Sequence, residues 1–289
     1  DGNEGTTWIG AGLGRYDREW VDRRDFAALD TPRGPPRHRR LFFGSSTWAG
    51  HYAEVANSFL WPLLHLVRDD LPRLTAYYPA PATPSLGDWG AFVRVNTSFA
   101  EAAIDERGKP TAWIHDYQLT LVPEFMRAGG FRGRIGFFLH TPFPSIEVAD
   151  PYLQGASAAY FCEVIRGMLG ADLIGFQSAN DLARFIAAAT RLRGVTEAPG
   201  GLRIDGRTVR CAAYPVGIDV DDVLSVATSE APPERVRAAR AAGLPIVVGL
   251  ERGDFTKGIP ERLHALATAY GEGERFAYIG IAAPTREGV

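Results

Sequence analysis

Cysteine is scarce in this chain: Cys162 and Cys211 are the only two in 289 residues, and they stand far apart. Two isolated thiols can build neither a disulfide framework nor a thiolate metal site, so both are expected to be reduced, as in a cytoplasmic protein. The six histidines show no ligand spacing; no metal and no cofactor is expected. No apolar run approaches the roughly 20 residues that span a bilayer. The opening Asp1-Gly2-Asn3-Glu4-Gly5 has neither the basic nor the apolar region of a secretory leader, so a membrane partner is not expected. Charge of one sign is missing too. Lys and Arg number 31 against 34 Asp and Glu, a formal net charge of −3, whereas nucleic-acid binding calls for a broad basic surface. What remains is an ordinary globular composition, 46% hydrophobic and 22% charged, in a chain long enough for one large or two ordinary domains.

Short apolar runs recur along the chain, several of them followed by helix-like segments. They cover residues 112–115, 135–139, 172–176, 209–214, 246–250 and 276–281. The runs are continuous rather than alternating, the mark of strands buried on both faces of a parallel sheet. Helices are expected at 119–126 and at 181–192, where Leu182, Phe185, Ile186 and Ala189 share one face. Strand and helix in alternation give an α/β, doubly wound class. Tyr214-Pro-Val-Gly-Ile-Asp219 reads as a hinge, followed by a polar, proline-bearing segment over 225–233 and a helix of Arg and Ala. Residues 1–217 are taken as one Rossmann-like domain and 218–289 as the start of a second, incomplete one. Residues 32–40, with three prolines and four arginines, read as a solvated loop.

Two nucleotide-binding patterns fail. Trp8-Ile-Gly-Ala-Gly-Leu-Gly14 has the wrong glycine spacing for a dinucleotide fingerprint and no full strand leading into it, and Lys257 is followed by glycine where a phosphate-binding Walker loop needs Ser or Thr. Three other stretches carry more. Trp113-Ile-His-Asp-Tyr-Gln-Leu119 puts Asp116 just past the carboxyl end of a strand, where doubly wound folds bind ligands. Gly136-Phe-Phe-Leu-His-Thr-Pro-Phe-Pro-Ser145 does the same with His140. The third is Gly-Leu-Glu-Arg-Gly-Asp-Phe-Thr-Lys-Gly, residues 249–258, which sets Arg252 and Lys257 on a turn between a buried strand and a helix opened by Pro260. A lone Asp or His at a strand end can equally cap a helix or close a turn, and an exposed Arg252 can pair with Glu251 or Glu261.

These stretches, with Asn57-Ser-Phe-Leu-Trp-Pro62, Leu169-Gly-Ala-Asp-Leu-Ile-Gly-Phe-Gln177, Tyr214-Pro-Val-Gly-Ile-Asp219 and residues 251–263, resemble in order and content the retaining glycosyltransferases that make trehalose 6-phosphate, glycosyltransferase family 20. The resemblance implies a GT-B fold, two Rossmann-like domains with the active site between them. It implies a nucleotide-glucose donor (UDP-, GDP- or ADP-glucose) and glucose 6-phosphate as acceptor. By position, Tyr52 and Trp61 match the aromatic pair of the acceptor pocket and Asp116 the carboxylate that holds acceptor hydroxyls. His140 matches the histidine beside the donor sugar, and Arg252 and Lys257 the pair that grips the donor diphosphate. The chemistry agrees: two fixed cations beside a helix N-terminus stabilise leaving-group charge more in the transition state than before it. The resemblance further implies same-face displacement, in which the leaving phosphate helps take the acceptor's proton.

The chain departs from the family pattern at Gly253, Phe255, Gln118 and Thr141. The family's N-terminal strand with its glycine loop, and the later part of the second domain, are read as absent, so the chain is expected to be part of a longer enzyme. Related family members with another acceptor, such as a glucosylglycerol-phosphate synthase or an amine-coupling pseudo-glycosyltransferase, stay open at this stage. So do a silent sugar-phosphate-binding homologue that regulates a partner, and a homo-oligomer. His140 is expected off the sheet's core, because Pro142 and Pro144 end the strand behind it. Asp254 is expected to turn away from the two cations.

Overall fold

The computed structural model describes residues 6–22, 24–28, 37–66, 79–106, 108, 111–229 and 231–283. Their contacts divide into two compact units, the first ending at Pro215 and the second running from Val216.

The first unit is built on a six-stranded sheet. Strands β4 (Thr111–His115), β5 (Arg134–Leu139), β6 (Leu173–Phe176) and β9 (Arg207–Ala213) run parallel, and β8 (Gly201–Ile204) and β7 (Thr196–Ala198) continue the sheet antiparallel beyond β9. Continuous apolar strands need cover on both faces, and Ile135, Phe137, Ile174, Phe176 and Val209 are indeed buried. The helix Ala179–Ala189 packs on β6 and β9, and Leu86–Asp105, Val122–Ala128 and Ala156–Met168 pack on one another in series. Full burial of each such side chain contributes about 1.5–3 kcal/mol. A smaller sheet precedes them: β1 (Thr7–Ala11) pairs parallel with β3 (Arg37–Leu41), and β2 (Phe26–Ala28) pairs antiparallel with β3.

Several expectations are corrected here. A strand, β1, does lead into Gly12. The arginine-rich stretch is no loop from Arg37 onward. Arg37 and Arg39 stand on a strand, lay their guanidiniums near the Phe26 ring and pair with Glu106 and Asp105, so their stems cover apolar surface while their charges are answered. Pro32, Pro35 and Pro36 lie outside the described residues. The helix expected over 119–126 is a 3₁₀ turn, Tyr117–Leu119, followed by Val122–Ala128. The polar segment beginning at 225 is helical up to Ser229, as part of Val220–Ser229.

Chain packing sets the level of the site. His115 stands opposite Phe138 in the β4–β5 register, so the residues that follow both strands leave the sheet side by side. Behind them, the segment 120–124 is pressed against the end of the Ala156–Met168 helix. A Cβ on Gly170 would come 2.2 Å from the Glu124 amide nitrogen, a separation no side chain tolerates, so only glycine allows this approach.

The second unit holds the parallel pair β10 (Ile246–Arg252) and β11 (Ala277–Ala283) with the helices Val220–Ser229, Glu234–Ala241 and Ile259–Gly271.

Candidate active site

Asp116 has a backbone conformation that only glycine adopts freely, φ 72° and ψ 173°. Such residues persist only where their surroundings over-determine them, and they cluster at functional sites. Here the surroundings are explicit. The Asp116 amide donates to the Phe138 carbonyl at 2.8 Å, and the His140 amide donates to Asp116 Oδ1 at 3.2 Å. The turn that follows is held from behind by Asn96, which is fully buried. Its Nδ2 donates to the carbonyls of Phe92 and Gln118, and its Oδ1 accepts from the Leu121 amide. Burial raises the Asp116 carboxyl above the ordinary range, against the backbone hydrogen bonds and the His140 charge that lower it.

His140 is exposed just beyond β5, off the sheet's core. Its loop is anchored where Phe143 donates its amide to Asp181 Oδ1 at 3.0 Å, on the first turn of Ala179–Ala189. His140 Nε2 lies 3.0 Å from His115 Nδ1. Burial, and then the His140 charge, lower the His115 imidazole. Thr141 beside it is buried, its hydroxyl without a partner among the described residues.

The aromatic part of the site depends on an unusual helix. Gly50–Leu60 is a π-helix, running into Trp61–Leu64. Its buried positions, Gly50 and His51, Val55 and Ala56, Phe59 and Leu60, recur after five and then four residues, wider on average than the 3.6 of an α-helix. Tyr52, Asn57 and Trp61 are half-buried between them. Nine residues are two and a half turns of an α-helix, which would put Tyr52 and Trp61 on opposite faces. The wider i→i+5 turns bring them round to one side. Trp61 packs its ring 5.5 Å from that of Tyr117, the residue after Asp116, and the Tyr117 hydroxyl donates to Asn57 Oδ1 at 3.2 Å. Tyr52 stacks on Trp48 at 5.3 Å.

In the second unit, Arg252 ends β10 and Lys257 ends a 3₁₀ turn, Phe255–Lys257; both are exposed. Among the described residues neither pairs with a carboxylate. Glu251 is taken by Arg262 instead, whose guanidinium crosses β10 where Gly249 leaves room for it. Asp254 turns inward and accepts from the Thr256 amide and hydroxyl at 2.9 and 2.8 Å. Gly258, at φ 60°, then starts the Ile259–Gly271 helix. Two uncommitted cations thus precede a helix N-terminus, a setting that favours anions.

The sequence profile of glycosyltransferase family 20 matches residues 36–289. This chain belongs to glycosyltransferase family 20. It is 33% identical over 252 residues to the UDP-forming alpha,alpha-trehalose-phosphate synthase 1 of Aspergillus niger, covering 83% of this chain and 45% of that protein. Identity to the 56 kDa subunit of the UDP-forming synthase of Saccharomyces cerevisiae is 33% over 226 residues, 75% of this chain and 42% of that one. A UDP-forming alpha,alpha-trehalose-phosphate synthase structure from Burkholderia xenovorans superposes with a TM-score of 0.78 at 26% identity, covering 99% of this chain and 61% of that one. A second one from the same organism, in complex with glucose-6-phosphate, gives 0.73 at 25% identity over 98% and 66%. The chain spans about half the length of the curated relatives it matches. The α/β, GT-B fold class read from the sequence holds.

Within this family-20 chain, the residues singled out from the sequence divide into three groups. Asp116 and His140 are hydrogen-bonded to each other. Trp61 joins them through Tyr117, and Tyr52 lies further along the same helix side, against Trp48. Arg252 and Lys257 stand on one loop of the second unit. His115, Asn57 and Tyr117 were not singled out, although all three lie inside the quoted stretches. Among the described residues no cluster of His, Cys, Asp and Glu could hold a metal ion, and no helix is long and apolar enough to cross a membrane.

Proposed function

We propose that the protein carrying this chain is a trehalose-6-phosphate synthase: a retaining glucosyltransferase that moves glucose from UDP-glucose to glucose 6-phosphate. The observation that carries this reading is the strained Asp116, hydrogen-bonded to the His140 backbone at the ends of two parallel strands, in a chain a third identical to UDP-forming trehalose-phosphate synthases. Residues 1–217 form the acceptor-binding domain, with Tyr52, Trp61 and Asp116 holding the sugar phosphate. Residues 218–289 begin the donor domain. His140 lies against the donor sugar, and Arg252 and Lys257 grip the diphosphate and stabilise the charge that grows on it as the glycosidic bond breaks. With Asp116, the carboxylate of this set, assigned to the acceptor hydroxyls, the step proposed is displacement on one face with the departing phosphate accepting the proton. Free Cys162 and Cys211 fit a reducing compartment, and the cytoplasm is the proposed location.

The test is a product assay of the full-length protein with UDP-, GDP- and ADP-glucose against glucose 6-phosphate and glycerol 3-phosphate. Release of UDP with formation of α,α-linked trehalose 6-phosphate is the expected result. Transfer to glycerol phosphate alone, or no transfer with any donor, would overturn it.

A further inference from the structure

We infer that His115 is the positioning residue for His140, fixing the rotation and tautomer of its imidazole through the Nδ1 to Nε2 hydrogen bond. The inference rests on the reading of His140 as the group beside the donor sugar. Three observations carry it. The two ring nitrogens are 3.0 Å apart, close enough that one must carry the hydrogen and the other the lone pair. His115 cannot easily move: it is the last residue of β4, in register with Phe138, and its ring is flanked by Trp113 at 4.7 Å and by His140 at 5.3 Å. His140, in contrast, is exposed beyond its strand, with the Phe138 ring 4.7 Å away on its other side. An exposed imidazole on a loop turns freely unless something holds it, and among the described residues only His115 offers a hydrogen bond to its ring.

The consequence is a defined nitrogen. With Nε2 committed to His115, Nδ1 is the atom left for a ligand, and its state follows from which ring carries the shared hydrogen. The two rings cannot both be protonated at this contact, because two N–H groups would then face each other. Among the described residues, the titratable groups that face the pair are the Asp116 carboxylate, whose Oδ1 accepts from the His140 amide, and the two imidazoles themselves. Burial keeps His115 on the neutral side, which suits the fixed member of the pair.

Two variants of the full-length protein separate positioning from mere packing. His115→Phe keeps a ring between Trp113 and His140 but removes the nitrogen. His115→Asn returns a polar atom near the place of Nδ1. The expectation is a fall in kcat of roughly tenfold or more in His115→Phe, by analogy with the loss of a partner that orients a metal-bound histidine. The KM for the donor and the unfolding temperature should change little, and His115→Asn should recover a good part of the rate. The tautomer of the His140 ring, read by NMR from the nitrogen shifts of histidine-labelled protein, gives a readout independent of activity. In the unaltered protein one neutral tautomer of His140 should dominate, and in His115→Phe the two should be mixed. Unchanged kcat with an unchanged tautomer in His115→Phe would overturn the inference, as would equal losses in both variants accompanied by lower stability. If the unaltered protein shows no glucosyl transfer, the functional reading falls instead, and the tautomer still decides the pairing.

Discussion

Asp116 and Arg252 both sit at the carboxyl end of a parallel strand, yet they are held in opposite ways. Asp116 is fixed by the backbone on every side, strained and partly desolvated. Arg252 is exposed, and the carboxylates nearest it in sequence are spoken for, Glu251 by Arg262 and Asp254 by its own turn. A group that must orient neutral hydroxyls gains from fixed geometry, since a misplaced acceptor atom forfeits the hydrogen bond. A group that meets a mobile, doubly charged leaving group gains from unspent charge, because a cation already paired has part of its field cancelled. One region therefore shows order and the other shows availability.

The sharpest way to break this contrast is to remove the available charge. If the proposed grip on the diphosphate is right, Arg252→Ala or Lys257→Ala in the full-length protein, assayed at saturating donor, should lower turnover on the order of 10²–10³-fold, as for other preorganised groups that stabilise transition-state charge. Arg252→Lys should recover little, because a point charge does not reproduce a two-pronged grip on phosphate. Near-normal rates in both alanine variants would reduce the loop to a decorated turn.

Next in size is an effect on the ordered side. His51 lies on the buried face of the π-helix, stacked on Phe92, and burial pushes its imidazole down to about 4. In the unfolded chain it takes a proton near 6.5. Its contribution is therefore intact above that value and is lost as the pH falls from about 6.5 towards 4, a loss on the order of 3 kcal/mol. Urea unfolding at pH 7 and pH 4.5 should show this drop in the unaltered protein and a shallower one in His51→Leu. Equal slopes would mean that His51 is solvated in solution.

Asp116→Asn should cost roughly 10–10²-fold in turnover, the worth of a hydrogen bond to a charged group, with donor affinity largely kept. The same change should raise thermal stability at neutral pH. A carboxyl raised by burial holds its proton more firmly folded than unfolded, so stability falls as the pH climbs out of the carboxylate range, and the amide escapes that loss. Lower stability in this variant would contradict the strained, desolvated picture of the site. The smallest effect expected is that of Asn96→Ala, about 1–3 kcal/mol of destabilisation from the buried backbone groups it leaves unpaired, measured by denaturant unfolding.

The parallel strands were legible from continuous apolar runs, but the burial read from those runs fails in the second unit, where Val248, Leu250 and Ile281 on β10 and β11 are exposed. The antiparallel end of the sheet was not read, although it carried a signal. Asp205-Gly206, at φ 49° and 75°, is a two-residue turn between β8 and β9, the dipeptide that hairpins of this kind favour. The candidate site was legible at Asp116 and His140, where strand ends point by topology alone. What holds them was hidden. Neither the φ of Asp116 nor the reach of Asn96, twenty residues earlier in the chain, leaves a mark on local periodicity. The π-helix went unread for a different reason: an apolar pattern searched at 3.6 residues per turn does not register buried pairs spaced more widely.

That helix makes chain length itself a working part of the molecule. Removing one residue between Gly50 and Leu60 would let the segment tighten towards ordinary i→i+4 turns, a change the local backbone would welcome. Everything downstream would then rotate by about 100° about the helix axis, carrying Trp61 away from the Tyr117 ring and Asn57 away from its hydroxyl. A single-codon deletion here would leave a better helix and undo the proposed acceptor contacts, whereas exposed surface loops in general absorb such changes with little effect.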